Sequence, residues 1–215
     1  KEYRRQRQMC IRDRDPTNQF EGTSEITLGD YGTQNLGIAF GGPMKNEKLK
    51  YRLVLRTDYA DGFRKNIFLN KSDTSKKDEL TLRYKLNWDL NETTEINFLI
   101  SKVDMDDPAD IWTIDGSLNT LSDRPGMDSQ ETDSYGIKIT KNFNNFDLQS
   151  FTSVTNTDVN FSYDADWGNS ESHFPYIYDY FSETLRKRDT FSQEIRFLSK
   201  NCLLYTSPSP RDGLL

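Results

Sequence analysis

Between Leu80 and Leu90 the chain alternates without a slip. Leu80, Leu82, Tyr84, Leu86, Trp88 and Leu90 occupy every second position, and Thr81, Arg83, Lys85, Asn87 and Asp89 lie between them. Successive side chains of an extended strand point to opposite faces, so this segment has one oily and one polar side. Wound into a helix, the same leucines would scatter around the surface. The period recurs at Tyr51 to Tyr59, where Tyr51, Leu53, Leu55, Thr57 and Tyr59 oppose Arg52, Arg56 and Asp58. Further strands are expected over Phe20 to Gly29, Thr33 to Gly42, Glu95 to Val103, Asp133 to Asn142, Phe146 to Thr157 and Thr190 to Ser199. In the last, Ile195 and Phe197 oppose Glu194 and Arg196. Phe146 to Thr157 is the least regular, because Leu148 and Phe151 fall on opposite faces. The pattern predicts an all-β fold, an antiparallel up-and-down meander of about eight strands.

The connections alternate in length. Gly42 to Asn46, Asn91 to Thr94 and Asn142 to Asn145 are short and built from turn-forming residues, and Gly41-Gly42-Pro43 reads as part of a turn. The intervening stretches, Ala60 to Lys77, Asp104 to Glu131 and Asp158 to Asp189, run to about twenty to thirty residues, long for a compact soluble domain. Short turns at one end and long loops at the other are the layout of an outer-membrane barrel.

Both ends read as non-native. Lys1 to Arg14 (KEYRRQRQMCIRDR) back-translates without a break into a library index followed by a transposase-type sequencing adapter. Cys202 to Asp212 (CLLYTSPSPRD) back-translates into the reverse complement of that adapter continuing into its opposite partner, which leaves Gly213 to Leu215 as index. The expected organisation is therefore adapter-derived sequence at 1–14 and 201–215 around a native insert at 15–200. On this reading Cys10 and Cys202 drop out, and with them any disulfide or thiolate metal site. The two ends hold seven of the 28 basic and three of the 34 acidic residues. The insert is left with 21 against 31, a net charge of −10, which gives no footing for nucleic acid.

Aromatic residues reach 13% although mean hydropathy is −0.83, unlike a disordered acidic chain. No run of 18 apolar residues exists, so a transmembrane helix is excluded, whereas a membrane β-barrel needs only every second side chain in lipid. A soluble β-sandwich also alternates. Two features favour the barrel. Tyr31, Tyr51, Tyr59 and Trp88 sit near strand ends, as aromatics do at membrane boundaries. An Arg or Lys at the bilayer midplane also costs roughly 2 to 4 kcal/mol, so Arg52, Arg56, Arg83, Lys85, Glu194 and Arg196 are expected to face an enclosed lumen.

The run PTNQFEG at Pro16 to Gly22, then TLGDYGTQNLGIAFGGPM from Thr27 and YRLVLRTDYADGFRKN from Tyr51, resembles the start of the barrel in TonB-dependent outer-membrane receptors. There a plug leads through a P-T-N-x-F-x-G turn into a G-x-Y hairpin and a G-P periplasmic turn. Phe191 to Phe197 (FSQEIRF) resembles the family's S-Q-E-hydrophobic-R strand. The resemblance spans about Asp15 to Lys200. It implies part of a 22-stranded barrel that imports a scarce ligand (a ferric siderophore, cobalamin or a carbohydrate), powered through TonB in the outer membrane of a Gram-negative bacterium. The plug and roughly fourteen strands of that pattern are not in this sequence, so the chain is expected to be an open, strongly twisted sheet with two unpaired edges. The alternatives are a glycan-binding β-sandwich, soluble or surface-attached, and a passive porin.

Candidate ligand contacts are loop aromatics: Trp112, and Tyr163, Trp167, Phe174, Tyr176 and Tyr178 among a cluster that includes Tyr180 and Phe181. They suit stacking on a ligand ring or sugar, or packing and interface anchoring. Asp104, Asp106, Asp107 and Asp110 lack the glycine and distal glutamate of a calcium loop and read as solvated charge. His173 is the only histidine, so neither a zinc site nor a catalytic triad is supported. No enzyme, cofactor or metal is expected.

Overall fold

The structure is a computed structural model that describes residues 14–44 and 47–200; most of the two adapter-like ends lies outside them. The described residues form ten strands: β1 (Glu21–Leu28), β2 (Gln34–Pro43), β3 (Leu49–Ala60), β4 (Lys65–Asn66), β5 (Lys77–Asn91), β6 (Thr94–Pro108), β7 (Asn119–Thr120), β8 (Met127–Asn142), β9 (Phe146–Asp164) and β10 (Phe181–Ser199). Eight make one antiparallel sheet in the order β1-β2-β3-β5-β6-β8-β9-β10, so each sheet strand pairs with its neighbours along the chain. The sheet is open, with β1 and β10 at its edges. β4 and β7 form a small parallel pair between two of the long loops.

The period-two segments all became strands, and most ran further than the alternation did. β9 and β10 reach 19 residues each, so the long connections shrink to 61–76, 109–126 and 165–180. The physical reason lies in the side chains above the oily band. Asp104, Glu131 and Asp158 line up across β6, β8 and β9, where Leu82, Tyr84 and Leu86 lie lower on β5. Backbone ladders continue through a stretch where the oily side turns charged while Val103, Met105, Val159 and Phe161 stand on the other side, so the alternation loses its phase and can no longer be read.

Gly41-Gly42-Pro43 closes β2 rather than forming the turn. A Cβ at Gly42 would meet the Phe20 Cα at 2.8 Å, and one at Gly41 would meet the Arg52 Cα at the same distance. Only glycine lets the chain entering β1 and strand β3 approach β2 this closely.

All the substantial contacts between strands run between ladder neighbours, so the strands of the large sheet form a single layer. The core is correspondingly thin. Among the described residues the buried hydrophobic side chains are Ala39, Val54 and Ala109, while Arg52, Asp58, Asn66, Asp110, Thr120, Ser122 and Asp164 are among the buried polar ones.

Candidate functional site

Strand register sorts the side chains into two faces. Leu53, Tyr84, Ile100, Tyr135, Val154 and Phe191 stand opposite one another across six strands, and Tyr51, Leu86, Phe98 and Ile137 form the row below. Ile100 and Tyr135, in the middle of the sheet, remain 45% and 50% exposed. An apolar face left uncovered by a second layer is the reverse of what water selects for. Leu80 to Leu90 spans about 33 Å along the strand. At a tilt of about 40° that is about 25 Å on β5, the height of a barrel's apolar band, but on β6 the row of Leu80 already holds Asp104 and the row of Leu82 holds Lys102, so the band is shorter there. At the short-turn end Phe143 stacks on Phe146 at 4.6 Å, and Phe146 approaches Phe197 at 6.1 Å.

The opposite face carries Arg52, Arg56, Arg83, Lys85, Glu194 and Arg196, all six of the charged residues singled out from the sequence. Arg52 is 5% exposed, far less than the leucines and aromatics across the sheet. One row runs Lys50, Asn87, Asn97, Lys138, Phe151, Glu194. Its polar groups are paired within the row and with the next one: Lys50 pairs with Asp89 at 3.0 Å, the Asn87 amide donates to Glu95 (2.8 Å) and Asn97 (2.9 Å), and Arg196 forks onto Glu194 at 2.5 and 2.9 Å. This row lines a cleft of about 850 Å³, one wall of which is the segment from Asp15 to Asn18. Lys85 holds that segment in place, donating to the Asp15 carboxylate at 2.9 Å and the Arg14 carbonyl at 3.2 Å. Phe151, the residue that spoiled the alternation of its strand, is part of this face because two cations cover its ring.

The loop aromatics fall into two clusters. Trp112 packs on Tyr163 at 4.9 Å, and Tyr163 on Phe161 at 5.7 Å; both β9 residues share the face of Phe151. Tyr176, Tyr178 and Tyr180 form a ladder with centroids 6.1 Å apart, and His173 meets Tyr178 edge-on at 5.3 Å. Among the described residues Trp167 and Phe174 join neither cluster. Trp167 takes a left-handed φ of 62°, and Phe174 is 82% exposed.

Sequence reasoning missed a set of buried polar side chains that ties the long loops together. Asp110, expected as solvated charge, is 4% exposed; its carboxylate accepts from the Asn66 amide (2.9 Å) and the Thr120 hydroxyl (2.6 Å). Asp104, Asp106 and Asp107 belong to β6 rather than to a loop. No group of three or more potential metal ligands converges among the described residues. Burial pushes the Asp164 carboxyl up from its ordinary value, and the charge of Asp166 reinforces the shift. Burial opposes ionisation of Asp166 too, but the backbone N–H groups of Tyr180 and Gly168, with Asp164 and His173, outweigh it and hold that carboxyl low. The signal for this set was weak, since its hydrogen-bonded partners lie up to 56 residues apart.

No protein-family model matches the chain, and no curated protein does. Among solved structures, one described as "Structure of the FpvAI-pyocin S2 complex" superposes with a TM-score of 0.59 over 86% of this chain, at 15% sequence identity. This chain spans 24% of the length of that one. At this identity the likeness is one of fold, an all-β antiparallel meander in an open sheet.

Proposed function

We propose that the chain is part of the barrel of an outer-membrane active-transport receptor in a Gram-negative bacterium. Its oily face touches lipid, and Arg52, Arg56, Arg83, Lys85, Glu194 and Arg196 line the lumen. The observation that carries this reading is the inverted burial of the sheet, in which Arg52 is sequestered while Ile100 and Tyr135 lie open. A β-sandwich would need a second layer over those residues, and the described residues supply none.

In the parent protein the rim aromatics, Tyr163 at the end of β9 with Trp112, Trp167, Phe174, Tyr176 and Tyr178 in the loops, receive the ligand, a siderophore-iron complex, cobalamin or a carbohydrate. TonB supplies the energy through a plug domain. The motifs at Pro16 to Gly22 and Phe191 to Phe197 favour a receptor over a passive porin, and the fold likeness to FpvAI, whose structure was solved with pyocin S2, agrees with a barrel of either kind. Recovering the parent gene tests this: a plug ahead of Asp15 and about fourteen more strands after Lys200 are expected, for a total of about 22. Strands without a plug would make it a porin, and stop codons flanking the present segment would contradict a barrel of that size.

A further inference from the structure

Loops 61–76, 109–126 and 165–180 are all at the end of the sheet opposite the short turns. Long loops on a barrel rim are ordinarily free to move separately, since each is anchored only in its own strands. Here they are joined. Loop 109–126 is the middle member. Toward loop 61–76 it pairs β7 with β4, receives the Arg64 guanidinium on the Ser117 carbonyl (2.9 Å), and buries Asn66, whose amide donates to Asp110 and to the Ser122 carbonyl (2.8 Å). Toward loop 165–180 it accepts the Asn169 amide on the Leu121 carbonyl (2.7 Å), donates Asp123 N–H to the Gly168 carbonyl (3.0 Å), and pairs Arg124 with Asp179.

The fasteners are amides and hydroxyls, not apolar side chains. Asn66 and Thr120 are fully buried and Asn169 is 2% exposed. A buried polar group that loses its partner bears its whole desolvation penalty, so such a network holds together or releases together. Trp112 leans from the middle loop onto Tyr163, on the side of the sheet that carries the cleft.

We infer that the three loops are one clasped lid, with Asn66 and Asn169 as its two fasteners, and that it opens and closes as a single body. Through it, whatever displaces Trp112 in the middle loop also shifts the tyrosine ladder of loop 165–180. That the lid covers a pore mouth rests on the receptor reading; the clasp itself rests on the hydrogen bonds alone.

Hydrogen–deuterium exchange on the full chain in detergent micelles tests the clasp without reference to transport. Asn66→Ala should speed exchange about tenfold in loop 165–180, which Asn66 does not touch, as well as in its own loop and the middle one. Asn169→Ala should do the reverse, loosening loop 61–76. Acceleration confined to the loops each side chain contacts would overturn the inference. If either variant also loses protection in β5 to β9, a Lys65→Cys, Asn119→Cys cross-link between β4 and β7 decides. It should slow exchange in loop 165–180, and no change there would overturn the clasp.

Discussion

The ring of Phe151 lies 5.0 Å from the guanidinium carbon of Arg196, and the Lys138 ammonium stands 5.2 Å from the same ring. A phenylalanine on the charged side of the sheet is thereby wrapped by cations, which shield its apolar surface and use its negative face. A double-mutant cycle on Phe151→Leu and Arg196→Gln, read by urea unfolding in detergent, should give a coupling of about 0.5 to 2 kcal/mol. A coupling of zero would mean that the ring and the guanidinium are merely neighbours.

The two sides of β5 should respond oppositely to charge. Leu86→Arg places a cation in the oily row and should cost about 2 to 4 kcal/mol of folding stability in lipid vesicles. Asn87→Arg, one residue along, should cost well under 1 kcal/mol, because it joins the polar row beside Glu95. Equal losses at the two positions would remove the distinction between the faces.

Acidity should act on the rim through Asp164. Its carboxyl titrates above the ordinary 3.8 in the folded chain, so the stability it contributes is complete below that value and is lost as pH rises through the raised one. Asp166 is held below 3.8, so its contribution is present above that value and disappears only in stronger acid. Proteolysis of loop 165–180 should therefore quicken as pH rises above 3.8, and Asp164→Asn should flatten that rise. An unchanged pH profile in the variant would assign the titration elsewhere.

The close approach of Gly42 to Phe20 gives a backbone test. Gly42→Ala would set a methyl 2.8 Å from the Phe20 Cα and should cost about 1 to 3 kcal/mol. Gly116→Ala sits in open space at a φ of 72°, so its cost should reflect backbone strain alone, about 1 kcal/mol. Urea midpoints for the pair, measured in the same detergent, compare the two effects directly.

Much of the fold was legible because the oily band writes its period into the sequence. Leu80 to Leu90 names its strand, its faces and, through the alternating lengths of its connections, the direction of its neighbours. The upper halves of β6, β8, β9 and β10 were not legible. Asp104, Glu131, Asp158 and Lys187 follow one another across those strands on the oily side while Val103, Met105, Val159 and Phe161 stand on the other, and that change of phase hides the period without stopping the ladder. Phe151 broke the pattern for a reason that only neighbours on the two flanking strands, Lys138 and Arg196, supply. The six charged residues could be placed on one face by counting in twos. Asn66, Asp110 and Asn169 could not be found that way, because their roles depend on contacts between loops that no local spacing encodes.

Site-directed spin labels placed one at a time from Leu82 to Asn87, in the chain reconstituted in lipid vesicles with Cys10 and Cys202 replaced by serine, test the two-sided sheet most directly. Collisions with oxygen, which concentrates in lipid, should peak at 82, 84 and 86, and collisions with a water-soluble nickel chelate at 83, 85 and 87. A flat profile, or high nickel access at 82, 84 and 86, would contradict a lipid-facing oily side.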